Sequence, residues 1–192
     1  MMRRSVAADL VRGRLLDSDI VVCSLGSTSR AWRELGAPHL TYYASDPMGT
    51  APALALGLAI ARPDRRVVLL EGDGDLAMNL GVLLTIAGAA QPNLRVVVFG
   101  NGRYETGGGQ PLPGAGTISF AAIAAAGGWP WTGEARDAAQ AGRLLDELLS
   151  RTGLGLLALH VEPEASPYPA DAGPSSQAED RVAFQRRLAD ER

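Results

Sequence analysis

The sequence predicts a three-layer α/β/α domain around a mostly parallel central sheet, and three observations carry that reading. Continuous Val/Leu runs at residues 66–71 and 94–99 lack polar alternation, as strands covered on both faces require. A helical stretch separates them, and strand, helix, strand at this spacing is a right-handed crossover between parallel neighbours. Small residues from Thr50 to Ala61 supply a helix able to sit very close to such a sheet.

Taken in order, Val6 to Leu16 has helical periodicity, with Val6, Leu10, Val11 and Leu15 on one stripe. Asp19 to Cys23 reads as a buried strand, closed by the loop Ser24 to Ser29. A short strand is expected at Leu40 to Tyr43, then the turn Ser45-Asp-Pro-Met-Gly49 and the helix Thr50 to Ala61. Arg66 to Glu71 is a strand, Gly72-Asp-Gly74 a turn, Asp75 to Ala90 a helix and Leu94 to Phe99 a strand. The glycine-rich loop Gly100 to Gly116 leads to a helix around Ile118 to Ala126. A helix from Ala135 to Arg151 and a strand at Gly155 to Val161 close the domain, read as residues 1–161. Residues 162–192 read as an extended Pro-rich connector and a final helix at Ala178 to Ala189.

Bulk properties exclude several classes. A net charge of −3, with no basic run and no lysine, argues against a nucleic-acid surface. Cys23 is alone, so neither an internal disulfide nor a thiolate cluster is expected. His39 and His160 are too few for a histidine-rich zinc site. The most apolar segment, Ala51 to Ala61, falls far short of the roughly 20 residues of a membrane span. The start lacks the apolar core of a signal peptide, so a cytoplasmic protein with no membrane partner is expected.

The chemistry sits where open α/β sheets bind ligands, outside the carboxyl ends of the strands. Asp73 and Asn101 end two strands of one crossover unit and should be neighbours in space. Both offer oxygen, and flanking glycines let a large anion approach the backbone. Mg²⁺ takes few protein oxygens and prefers phosphates for the rest. Each motif alone is also ordinary turn vocabulary: Asp73 as a helix N-cap, Asn101-Gly102 as a turn. A plain dinucleotide site is disfavoured, because the turn does not read G-x-G-x-x-G.

Gly72-Asp-Gly, followed after a helix and a strand by Asn101, resembles the signature of thiamine diphosphate enzymes. The longer runs Gly72-Asp-Gly-Asp-Leu-Ala-Met-Asn-Leu-Gly81, Asn101-Gly-Arg-Tyr-Glu105 and Gly108-Gly-Gln110 look like the small subunit of sulfopyruvate and phosphonopyruvate decarboxylases. Thr85-Ile86 and Asn93-Leu94 fit too, and the resemblance runs from about Ser18 to about Val161.

The resemblance implies a thiamine diphosphate-binding fold, with thiamine diphosphate and Mg²⁺ as cofactors. Asp73 and Asn101 match the side-chain metal ligands, and Arg103 the position that gives a backbone carbonyl. Gly72 opens the motif, and Gly74 and Asp75 would line the diphosphate. Thr28 and Ser29 resemble a hydroxyl loop that touches it, although they equally suit a cap for a helix beginning near Arg30. Met48-Gly49 looks like the segment under the cofactor's bend, with Asp46 at a carbonyl position facing the aminopyrimidine. The implied reaction converts a 2-oxo acid to an aldehyde and CO₂, with Arg30 or Arg103 as candidate partners for an anionic substrate.

The pattern is not followed everywhere. Asp46-Pro47 stands where Gly-Ser is common, Gly100 where Asn or Asp is, and Gly107 where Thr is frequent. Asp75 puts a second carboxylate near an anion, which is repulsive unless paired or turned away. Glu71, Tyr104 and Glu105 suit the site, solvent or an interface equally. No catalytic residue is assigned within the chain, because the activating glutamate of the family lies on a pyrimidine-binding domain. A separate pyrimidine-binding alpha subunit and a hetero-oligomer are therefore expected. The alternatives are a carboligase subunit of the acetolactate-synthase kind and a non-catalytic partner that keeps the fold.

Overall fold

Six parallel strands build the sheet in the order β2-β1-β3-β4-β8-β7 of a computed structural model, which describes residues 1–36, 39–45, 47–164 and 177–190. The chain begins with α1 (Arg4–Arg12), β1 (Ile20–Cys23), α2 (Ser27–Glu34), β2 (Leu40–Tyr43) and α3 (Ala51–Ala61). The central unit is β3 (Val67–Gly72), α4 (Asp73–Ala77), α5 (Val82–Ala89) and β4 (Leu94–Gly100). A small hairpin, β5 (Arg103–Tyr104) and β6 (Gln110–Pro111), follows, then α6 (Phe120–Ala126), β7 (Thr132–Ala135), α7 (Ala138–Ser150), β8 (Gly155–His160) and α8 (Gln177–Asp190).

The Val/Leu runs behave as two-sided strands. Val67 and Leu69 pack into one apolar layer with α3, α5 and α6; Val68 and Leu70 face the other, with α1 and α7. All four are fully buried, and each such side chain contributes about 1.5–3 kcal/mol relative to exposure. Register aligns Val67 with Leu94 and Gly72 with Phe99, so β3 and β4 end side by side. The Asn93 side chain donates to the carbonyls of Ala59, Arg62 and Arg65, tying the end of α3 to the start of β4. Among the described residues no helix is long and apolar enough to cross a membrane.

Four expectations are corrected. The helix read as Asp75 to Ala90 is two helices, broken between Ala77 and Val82. Asn79 and Gly81 mark the break, a signal that the apolar Met78 and Leu80 beside them obscure. Residues Thr132–Ala135 are an edge strand, and the helix that follows starts at Ala138 with the Asp137 side chain accepting from Gln140 N–H. α2 begins at Ser27, inside the expected loop and ahead of Arg30. The first helix buries a stripe of Arg4, Ala7, Ala8 and Val11, leaving Val6 exposed. A parallel bridge from Met2 to Val161 fixes that phase, and it delivers Arg4 to the carboxyl end of the sheet.

The connector at 165–176 lies outside the described residues. α8 packs on β2, where Phe184 is buried with its ring edge-on to Tyr42 at 5.3 Å.

Candidate functional site

Asp73 leaves β3 beside the point where Asn101 leaves β4. The Asp73 carboxylate is buried; its Oδ1 accepts from Gly74 N–H at 2.9 Å and its Oδ2 from Gly102 N–H at 2.6 Å. One side chain thus joins the two strand ends. Burial raises the Asp73 pKa, only partly offset by the N–H groups of Gly102, Gly74 and Asn101 and by the charge of Arg4. The Asn101 Oδ1 accepts from Arg103 N–H at 2.8 Å, closing the turn that follows β4.

These residues open on a cavity of about 490 Å³. Its walls come from Gly26 and the start of α2 (Ser27, Thr28), from Met48, from Gly72 to Asp75, and from Asn101 and the segment Arg103 to Gly107. A side chain at Gly74 would place its Cβ 2.9 Å from the Tyr104 ring, so only glycine lets Tyr104 close that wall. Among the described residues no three His, Cys, Asp or Glu side chains gather to hold a metal. A cation here would rest on the Asp73 and Asn101 oxygens, backbone carbonyl and ligand oxygen, the donor set that suits Mg²⁺.

Several charged groups support this cavity from behind. Glu71 is fully buried. Burial foremost, then the adjacent Asp75 carboxyl, pushes its pKa well above the ordinary range, while Ser24 and Gly72 N–H partly oppose this. Gly72 N–H donates to its Oε1 at 2.9 Å. Asp75 accepts from Gly49 N–H at 2.5 Å, so its carboxylate is held by the Met48-Gly49 segment. Glu105 is buried and pairs with the buried Arg4 at 2.8 Å; Arg4 also reaches Glu164 at 2.8 Å. Burial pushes Glu105 up, but Glu164 N–H, Arg4 and Ser27 outweigh it and hold its pKa below the ordinary value.

The expected residues are therefore sorted. Gly72, Asp73, Gly74, Asp75, Asn101, Arg103, Thr28 and Met48 line one cavity, and Gly49 stands behind Met48. Ser29 is not on the wall; its hydroxyl donates back to the Gly26 carbonyl at 3.1 Å. Asp46 lies outside the described residues. Arg30 pairs with Glu34 away from the cavity, whereas Arg103 is exposed at its wall. Sequence reasoning did not select Arg4, Ser27, Met78 or Thr106, all of which line it. Arg4 had a signal, since it falls on the stripe of Ala7, Ala8 and Val11, where a lone charge needs a buried partner.

An open parallel α/β sheet with a cavity at its strand carboxyl ends defines a ligand-binding class. Within that class, residues 23–159 match the family model described as "Thiamine pyrophosphate enzyme, C-terminal TPP binding domain", and the chain belongs to that family. It is 38% identical over 110 residues to the sulfopyruvate decarboxylase subunit beta of Methanothermobacter thermautotrophicus, covering 57% of this chain and 58% of that protein. It is 34% identical over 126 residues to the phosphonopyruvate decarboxylase of Streptomyces hygroscopicus, covering 66% of this chain and 31% of that protein. The matched region thus spans little more than half of the first relative and about a third of the second. The benzoylformate decarboxylase of Polynucleobacter necessarius shares the fold, with a TM-score of 0.75 at 20% identity over 86% of this chain and 34% of that one.

Proposed function

We propose that this chain is the diphosphate- and Mg²⁺-binding subunit of a thiamine diphosphate-dependent 2-oxo acid decarboxylase of the sulfopyruvate/phosphonopyruvate type. The observation that carries the reading is the convergence of Asp73 and Asn101 at adjacent strand ends on one cavity walled by glycine backbone and hydroxyls.

Asp73 and Asn101 supply side-chain oxygens to Mg²⁺, and Arg103 its backbone carbonyl. The raised pKa of Asp73 supports this, since a buried carboxylate held only by N–H donors gains most from a cation. Gly74 and Asp75 backbone and the Thr28 hydroxyl face the diphosphate, with Ser27 added to that wall. Met48 takes the place under the cofactor's bend. Bound thiamine diphosphate supplies the nucleophilic carbon and electron sink that let a 2-oxo acid lose CO₂. This chain positions and neutralises; the Arg103 guanidinium, exposed at the wall, is available to an anionic substrate.

A separate pyrimidine-binding subunit completes the enzyme as a hetero-oligomer, a reading supported by the "subunit beta" in the relative's name. Calorimetric titration with thiamine diphosphate, with and without Mg²⁺, tests the site: saturable, Mg²⁺-dependent uptake is expected, and heat that ignores Mg²⁺ refutes it. Product analysis of the chain together with its co-purifying partner tests the reaction. Sulfopyruvate or phosphonopyruvate should yield CO₂ and an aldehyde; acetolactate from pyruvate would establish a carboligase instead.

A further inference from the structure

The Met48-Gly49 segment is held from below by α4 and the turn that follows it. Gly49 N–H donates to the buried Asp75 carboxylate at 2.5 Å, and the Gly49 carbonyl accepts from the Asn79 Nδ2 at 3.0 Å. Both polar groups of one residue are therefore gripped by side chains four positions apart. The fit is close: Gly49 has φ +83°, and a Cβ there would stand 2.7 Å from the Asn79 Cβ. The Thr50 hydroxyl donates to the Pro47 carbonyl at 2.7 Å, closing the same turn. Met48 itself lines the cavity beside Gly74 and Asp75.

We infer that Asp75 and Asn79 are positioning residues that clamp Gly49 and so set Met48 at the height where it supports the organic part of the cofactor. The inference rests on reading this cavity as a thiamine diphosphate site. It assigns the Asp75 carboxylate a task other than contact with diphosphate. That second carboxylate is turned to Gly49 N–H and to the neighbouring Glu71 carboxyl. Asn79 completes the grip from the next turn, so α4 and the β2–α3 turn move as one body. The aminopyrimidine and thiazolium end of the ligand feels this clamp, while the diphosphate end does not.

Two ligands separate these ends: thiamine diphosphate and inorganic diphosphate, each titrated with Mg²⁺ into the full chain. Amide hydrogen exchange over residues 48–51 reports the clamp directly, since exchange follows local opening. For Asp75→Ala we expect exchange there to rise about tenfold and thiamine diphosphate to bind about tenfold more weakly, as for loss of one charged hydrogen bond. Inorganic diphosphate should bind to Asn79→Ala as it does to the wild type, because Asn79 is not on the cavity wall. Asn79→Ala should likewise speed exchange and weaken thiamine diphosphate, and Asp75→Asn, which keeps an acceptor oxygen, should restore both readouts. Unchanged exchange in both alanine variants overturns the clamp. Equal weakening of the two ligands in Asn79→Ala overturns it also, because the effect would then not be confined to the organic end. Should Asp75→Ala lose its cooperative melt, Asn79→Ala decides. If the wild type takes up neither ligand, the functional reading falls and the positioning role with it, while exchange still shows whether the grip on Gly49 exists.

Discussion

At the carboxyl ends of β3 and β4 most buried ionisable groups are acidic, Glu71, Asp73, Asp75 and Glu105 beside Arg4; at their amino ends Arg65 and Arg95 are buried beside Asp19, with Arg66 next to them. The two ends neutralise their charge in different ways. Arg95 donates to the carbonyls of Leu148, Pro92, Leu94 and Arg151, and Arg66 to that of Leu149 and to the Asp19 carboxylate. These arginines cap the last turn of α7, where orphan carbonyls and the negative end of the helix dipole favour cations. Burial, then Arg66 and Arg151, lowers Arg95 to about 10, which leaves it charged at neutral pH. The acidic end has backbone N–H groups and one buried arginine, Arg4, already engaged by Glu105 and Glu164. Burial keeps the pKa values of Glu71 and Asp73 raised there, and the nearby donors offset it only in part. The basic end is complete, and the acidic end is short of positive charge. On the proposed reading, that asymmetry separates a structural cluster from a binding one.

Replacing Asp73 by Ala tests it most severely. Mg²⁺-dependent uptake of thiamine diphosphate should vanish in calorimetry while the melting transition stays cooperative; retained affinity would move the site elsewhere. Arg4→Ala comes next. It strands Glu105 without its cation, and breaking a buried pair in this way costs about 3–5 kcal/mol. Chemical denaturation should show that loss, and Glu105→Gln in the same background should recover part of it.

Arg95→Ala removes the partner of several buried carbonyls, a loss of roughly 3 kcal/mol or about 6–12 °C in melting midpoint. Ligand affinity should not change, because the two ends are independent; a parallel loss of affinity would show them to be coupled. Glu71→Gln should have the smallest effect and one that depends on pH. Because the folded pKa is raised, the wild-type carboxyl adds stability below its ordinary range and loses it as pH rises through the elevated value. The variant should match the wild type under acid conditions and melt higher under alkaline ones; a constant difference between them would contradict proton uptake at Glu71.

The features legible in the sequence were those written in long runs. β3 and β4 are uninterrupted Val/Leu segments, and Asp73 and Asn101 were placed because they end those strands. β7 was missed because Thr132-Gly-Glu-Ala is a short edge strand without apolar alternation, half-exposed along most of its length. The division of α4 from α5 is marked only by Asn79 and Gly81, set among the apolar Met78 and Leu80. Arg4 was missed because its partners, Glu105 and Glu164, lie far along the chain and only the fold unites them. For Asp75, sequence logic named the alternatives of pairing or turning away, and Gly49 N–H supplies the answer.

The docking of α8 has a consequence for the protein in crowded solution. β2 is an edge strand, and a bare parallel edge is a template for backbone pairing with another molecule. α8 lies against it, with Phe184 edge-on to Tyr42 and Asp180 paired with Arg33, whose guanidinium sits 3.5 Å from the centre of the Tyr43 ring. The last helix therefore works as a guard against edge-to-edge growth. Removing α8 would bare that edge to pairing with another molecule.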